Sequence, residues 1–240
     1  MNSVRAKYTR GEEVKYISHL DLMRVFERAI RRAGIPIAYS QGYNPHPQMV
    51  FALPLSVGVT SEVEYVDFSF ESEVSPSVLI KRLNQQLPNG IRLVEAREKN
   101  TKENIMATIC SAKYNIYAVF KKEIALEDLR KNVVDFLDSE SIIIKKKTKK
   151  DSKDIDIKPM IYDIKTFHLG SEMEYRDIFC FSVSLAAGSV ENLKPELLIE
   201  ALGEFLGHKI EPIKVHRIGL LLKKDNNAIE PLSKEALRVK

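Results

Sequence analysis

The chain has 240 residues, 44% hydrophobic and 29% charged, with ten Gly and ten Pro, which excludes collagen-like, low-complexity and disordered chains and predicts one ordinary core or two small ones. A net charge of +4 is too mild for a protein that sheathes nucleic acid over its whole surface, so any such contact is expected at local patches. Two cysteines 70 positions apart, Cys110 and Cys180, exclude a disulfide framework and are too few for an iron–sulfur cluster or four-cysteine zinc site.

In chain order, residues 4–10 alternate apolar and basic side chains as on a half-buried strand. Ser18 is a natural N-cap with Asp21 three positions on, and Leu20, Met23, Phe26, Ile30 and Ala33 follow at helical spacing until Gly34. Extended chain over 35–39, a Gly- and Pro-rich connection over 40–47 and apolar extended chain over 49–59 lead to a strand at 63–70. Pro76 opens a second helix to Leu87, and 91–97 reads as a closing strand. The second half repeats this order with one strand more: strand 114–120, helix 126–137, strand 142–146, strands 160–169 and 179–185, helix 195–206 capped by Gly207, and strand 213–222. The expected fold is α+β: two tandem ferredoxin-like β-α-β-β-α-β units with helices on one face of each antiparallel sheet and the other face left for a partner domain or ligand. The expected boundaries are 1–100 and 110–224, with 99–104 as linker and 225–240 as a C-terminal tail. Charges at Arg5 and Lys7 occupy the place of a signal-peptide core, and the weakly polar run 179–190 is about half the roughly 20 residues of a membrane span, so a cytoplasmic protein with no membrane partner is expected.

Three features carry the candidate chemistry. The stretch Ser40-Gln41-Gly42-Tyr43-Asn44-Pro45-His46-Pro47 is stiffened by two prolines. It is either a rigid turn with Tyr43 tucked against the core or a loop presenting Tyr43, Asn44 and His46 to a nucleic-acid base. The first helix carries Arg24, Arg28, Arg31 and Arg32, a phosphate-binding face or a solvated one with Glu27 paired to Arg31. His19 and Asp21 point apart on that helix, so Asp21 is assigned to capping and no metal site is expected there. The third is a basic hairpin over 145–158 containing Lys145, Lys146, Lys147, Lys149, Lys150, Lys153 and Lys158, whose excess over its three Asp equals the charge of the whole chain. It is shaped to lie along a phosphate backbone or to serve as a soluble, lysine-rich loop.

The sequence lacks a phosphate-binding Gly-x-x-x-x-Gly-Lys loop, a dinucleotide-binding Gly-x-Gly-x-x-Gly, a His-Glu-x-x-His and a Gly-x-Ser-x-Gly elbow, and no cofactor is implied. Strand 63–70 also lacks the aromatic pattern of an RNA recognition motif, so RNA is expected to use loops and basic edges.

Tyr16-Ile17-Ser18-His19-Leu20-Asp21-Leu22-Met23-Arg24, the 39–47 stretch, Leu53-Pro54-Leu55-Ser56-Val57-Gly58 and Asp156-Ile157-Lys158-Pro159 together resemble the radical SAM-linked protein family. Tyr43 stands where that pattern has Phe, and Lys158 where it has Arg. The resemblance implies a bacterial protein, alone or fused behind a radical SAM enzyme, encoded near a ribonuclease and ribosomal proteins. It implies context and no reaction. The leading expectation is an accessory module that binds tRNA or rRNA, or presents a substrate, to a radical SAM partner. Arg24, Arg28, Arg31 and the lysine run would hold phosphates, and Tyr43, Asn44 and His46 would meet the target. The alternatives are a metal-independent RNA endonuclease of tandem ferredoxin-like type with His46 or His19 as general acid or base, and a purely protein-binding subunit.

Overall fold

Alternation along the first residues produces β1 (Asn2–Arg10), which turns Val4, Ala6 and Tyr8 into a core and Arg5 to the opposite face. The computed structural model describes residues 2–147, 152–173 and 176–238. It continues with α1 (His19–Arg32), β2 (Met49–Phe51), β3 (Thr60–Phe70), α2 (Pro76–Asn84), β4 (Ile91–Glu98) and the single turn α3 (Ile105–Thr108). Next come β5 (Ile109–Phe120), α4 (Leu126–Asp138), β6 (Ile143–Lys147), β7 (Ser152–Asp156), β8 (Ile161–Met173), β9 (Arg176–Ala186), α5 (Pro195–Leu206), β10 (Ile210–Lys224), β11 (Asn227–Ile229) and α6 (Lys234–Leu237). The fold is mixed α+β with antiparallel strand pairing, as the periodicity predicts.

Contacts divide the chain into two compact units, Met1–Cys110 with Arg217–Lys240, and Ser111–His216. This division differs from the sequence boundaries at 100, 110 and 224, because β5 and β10 each contribute residues to both units.

In the first unit the order is β4-β1-β3, with β2 also on β3, the arrangement expected of a β-α-β-β-α-β plan. Leu22, Phe26 and Ile30 of α1 and Leu79 and Leu83 of α2 pack against Val4, Ala6, Tyr8, Val66, Phe68 and Phe70. Ser18 caps α1 by accepting from the Asp21 amide, as expected. α2 stops at Asn84, short of the expected Leu87, because the Asn84 side chain turns to bond the Leu93 backbone at 2.8 and 2.9 Å. The extended chain expected over 35–39 and 49–59 is realised only as bridges at Ile37 and Tyr39 and as β2.

The sheet face away from these helices is closed in this unit, contrary to the expectation of a free face. Arg5 donates to Asp67 at 2.7 and 2.9 Å and to the Pro231 carbonyl at 3.1 Å, and Lys99 reaches Asp67 at 3.0 Å. Leu232, Ala236 and Leu237 are buried, and the Asn100 amide bonds the Leu237 carbonyl. The stretch read as a linker is thereby built into the unit, and the segment read as a tail holds β11 and α6.

The second unit runs β10-β5-β9-β8, with buried Leu129, Val133 and Phe136 of α4 and Leu198, Ile199 and Leu202 of α5. Gly207 takes the left-handed conformation at φ +64° beyond α5, as the cap signal predicts. The strand expected at 142–146 is the extra one: it is half of a two-stranded hairpin, β6–β7, that forms its own sheet. No helix among the described residues is long and apolar enough to cross a membrane.

Candidate nucleic-acid interface

Two buried arginines support the motif segments of the first unit. Arg10 lies on the core side of β1, where alternation calls for an apolar residue, and donates to the carbonyls of Val14, Lys15, Ile17 and Leu55. Arg217 donates to both carboxylate oxygens of Glu64 at 3.0 Å and to the Leu53 carbonyl at 3.3 Å. Burial pushes the Glu64 carboxyl up against the opposing pull of Arg217, and burial with the Glu64 charge raises the Tyr8 phenol. The loops at 14–17 and 53–58 thus hang from buried guanidinium groups, and the Gly58 amide joins them by bonding the Lys15 carbonyl at 2.8 Å. Tyr16 and Val57 are held on these segments with their side chains exposed, and Leu20 is exposed at the start of α1. The sequence reading passed over Arg10, Glu64 and Arg217; the available signal was charge on the apolar side of a period-two pattern.

On α1, Arg24, Arg28 and Arg31 are exposed, and their i, i+4, i+7 spacing puts them within about 60° on one helix face. Arg24 donates to Asp21 at 3.1 Å, while the guanidinium groups of Arg28 and Arg31 have no ion-pair or hydrogen-bond partner among the described residues. The anticipated Glu27–Arg31 pair is not formed. Arg32 leaves the set by bonding Gln86. His19 lies edge-on to Phe51 at 5.4 Å, and partial burial, followed by the Arg10 charge, holds its imidazole below the usual value. Asp21 receives the Ser18 hydroxyl at 2.7 Å, the capping role expected of it. No cluster of three His, Cys, Asp or Glu among the described residues is placed to hold a metal ion.

The 40–47 loop is closed at its base. The Ser40 amide donates to the His46 carbonyl at 2.9 Å, the His46 amide to the Ser40 hydroxyl at 3.0 Å, and Gln48 to the Tyr39 carbonyl at 3.1 Å. Gly42, at φ +126°, makes the turn at the tip. Tyr43 is fully exposed, which removes the reading in which it packs on the core, and Asn44 and His46 are exposed beside it. No hydrogen bond or ring contact joins His46 to His19 among the described residues.

In the second unit β6 pairs with β7 so that Lys145 faces Asp154 and Lys146 faces Lys153. Lys145 is exposed. Lys146 and Lys147 lie on β6, and Lys149 and Lys150 lie outside the described residues. Lys158 does not join them. Its ammonium donates to the carbonyls of Leu137 and Ser139, closing the C-terminal end of α4. Asp156 accepts from the amides of Ile142 and Lys158, and Ile157 is buried, so the Asp156-Ile157-Lys158-Pro159 motif fastens the hairpin base.

The model of a family described as uncharacterized protein conserved in bacteria (DUF2344) matches residues 3–195. The chain belongs to this family. All four motif stretches of this DUF2344 protein lie inside the match, whereas Arg217 and the segment that closes the first sheet lie beyond it. No curated protein matches the chain. Among solved structures it is similar to a Cbf5-Nop10-Gar1 complex at 12% identity, covering 93% of this chain and 50% of that one, with a TM-score of 0.49. It is also similar to an archaeal box H/ACA sRNP Nop10-Cbf5 complex at 11% identity, covering 90% and 46%, TM-score 0.43. A third likeness is to the CRISPR endoribonuclease Cse3 bound to RNA, at 12% identity, 90% and 99% coverage and TM-score 0.20. The chain spans about half the length of the first two, and these likenesses are too remote to bear on function.

Proposed function

We propose that this DUF2344 protein is an accessory module that binds RNA, of the tRNA or rRNA class, and presents it to a radical SAM enzyme. The observation that carries the RNA-binding reading is the arginine stripe of α1, where Arg28 and Arg31 stand exposed without partners in line with Arg24. Planar guanidinium groups so spaced suit successive phosphates. Tyr43 adds a stacking surface, with hydrogen-bonding groups from Asn44 and His46, on a loop closed at its base. In the second unit exposed Lys145 on β6 offers a further phosphate contact within the lysine run, and Lys158 fastens the base of that hairpin.

The radical SAM partner is supported by the motif resemblance. Two cysteines are too few to ligate the cluster that cleaves S-adenosylmethionine, so radical chemistry falls to the partner in this reading. Exposed Tyr16, Leu20 and Val57 on rigidly held segments suit a protein surface. The endonuclease alternative, with His46 or His19 as general acid or base, rests on the exposed loop histidine and the fold alone.

Fluorescence anisotropy with total cellular RNA tests the proposal. Affinity is expected to fall steeply between about 50 and 200 mM salt, and Arg24→Ala, Arg28→Ala and Arg31→Ala together to flatten the salt dependence by up to about 3 units of slope. Absence of binding at low salt, with the partner enzyme also present, would overturn it. Structured RNA incubated with the wild type or with His46→Ala is expected to stay intact in both; cleavage lost in the variant would restore the endonuclease reading.

A further inference from the structure

The two units share a topology but differ at the sheet face away from their helices. In the first, the Arg5–Asp67–Lys99 ion cluster and the segment from Pro231 to Leu237 fill that face. In the second, the register aligns Tyr117 of β5, Cys180 of β9 and Phe167 of β8 in one row, and Asn115, Ser182 and Lys165 in the next. Residues alternating with them, such as Ile116, Phe181, Val183 and Ile164, are buried. The row residues therefore share the opposite face, and apart from Cys180 they are exposed or half-exposed.

In these rows and the next the middle strand contributes only the small side chains of Cys180, Ser182 and Ser184, flanked by larger ones on β5 and β8. With strands about 4.8 Å apart, this leaves a trough about 10 Å wide along β9. Tyr117 and Phe167 stand on its two walls, and Phe167 leaves 46% of its surface in solvent. Lys113 and Asp163 occupy the row beyond Lys165, and Asp163 lies 3.6 Å from the Lys165 ammonium. The face is net positive, with aromatic rings at one end, Asn115, Ser182 and Lys165 in the middle row, and Lys113 in the row beyond.

We infer that the β5–β9–β8 face binds a single-stranded segment of RNA, with bases stacking on Tyr117 and Phe167 and phosphates held by Lys113 and Lys165. Unpaired bases expose faces for stacking and edges for Asn115 and Ser182, whereas a duplex hides both. The inference rests on the RNA-binding reading above and adds selectivity for unpaired RNA. The arginine stripe contacts only phosphates and does not distinguish strandedness.

Anisotropy with a fluorescent oligouridylate and with an RNA duplex of equal length tests it on the full chain. The single strand is expected to bind more tightly than the duplex, Phe167→Ala and Tyr117→Ala each to weaken it about tenfold, and Phe167→Trp to restore binding. Circular dichroism confirms that each variant is folded. Wild-type affinity in both folded alanine variants would overturn this inference; if the triple arginine variant still lost affinity, the broader RNA-binding reading would survive. Failure of the wild type to bind either RNA at low salt would overturn both, and a protein that protects this face in hydrogen exchange without RNA would replace the RNA with a protein occupant.

Discussion

Asp67 accepts Arg5 and Lys99 together inside the first unit, and all three side chains are largely removed from solvent. Asp67→Asn keeps the shape but leaves two cations without a counter-charge, and a loss of about 3–5 kcal/mol in urea unfolding is expected. His19 makes stability depend on pH. Its folded pKa lies below the ordinary value of about 6.5, so the unfolded chain takes up a proton that the folded chain refuses. Its contribution is complete above about pH 6.5 and is lost as the pH falls from there toward the folded value. His19→Gln is expected to remove this part of the acid-side decline in the urea midpoint between pH 7.5 and 5.5. At this scale Ser18 and Asp21 were legible, because capping is a local code. Arg10 and Glu64 were not, because Arg10 is satisfied by backbone carbonyls, which no side-chain pattern marks, and Glu64 by Arg217, 153 residues away.

The helices and most strands were legible as elements, since their apolar spacing reports which face is buried. The exception is instructive. The lysine run was legible as a hairpin, but only packing reveals that Ile142, Ile144 and Ile157 are buried at its base and that Asp156 and Lys158 fasten it to α4. Lys158→Met is expected to cost about 1–3 kcal/mol in thermal unfolding, because the carbonyls of Leu137 and Ser139 lose a charged donor. Faster hydrogen exchange at the hairpin base would accompany that loss; unchanged exchange there would count against the fastening role. The loop at 40–47 was recognised as stiff from its composition, yet its direction was open. Its paired base and the solvent-facing Tyr43 decide that question.

For the whole molecule, periodicity records most strands but not the unit that each half of a long strand joins. The boundaries read at 100, 110 and 224 follow composition, whereas the contacts of β5 and β10 cut through strands. Removal of residues 225–240 is expected to lower the melting temperature by more than 5 °C and to increase dye binding to exposed apolar surface. It strips Pro231, Leu232, Ala236 and Leu237 from the first sheet. A melting temperature within 1 °C of the intact chain would contradict that role.

The two-segment makeup of the first unit also orders its folding in time. Ser111–His216 is continuous and can close its core from its own residues, while Glu64 depends for its counter-charge on Arg217, which follows that whole stretch in the chain. Until Arg217 docks, the first unit holds a carboxylate destined for burial without its partner, a strong penalty against early closure. Pulse-labelled hydrogen exchange during refolding should therefore protect β5, β9 and α5 before β1 and β3, with the amino-terminal strands the last to become solvent-tight.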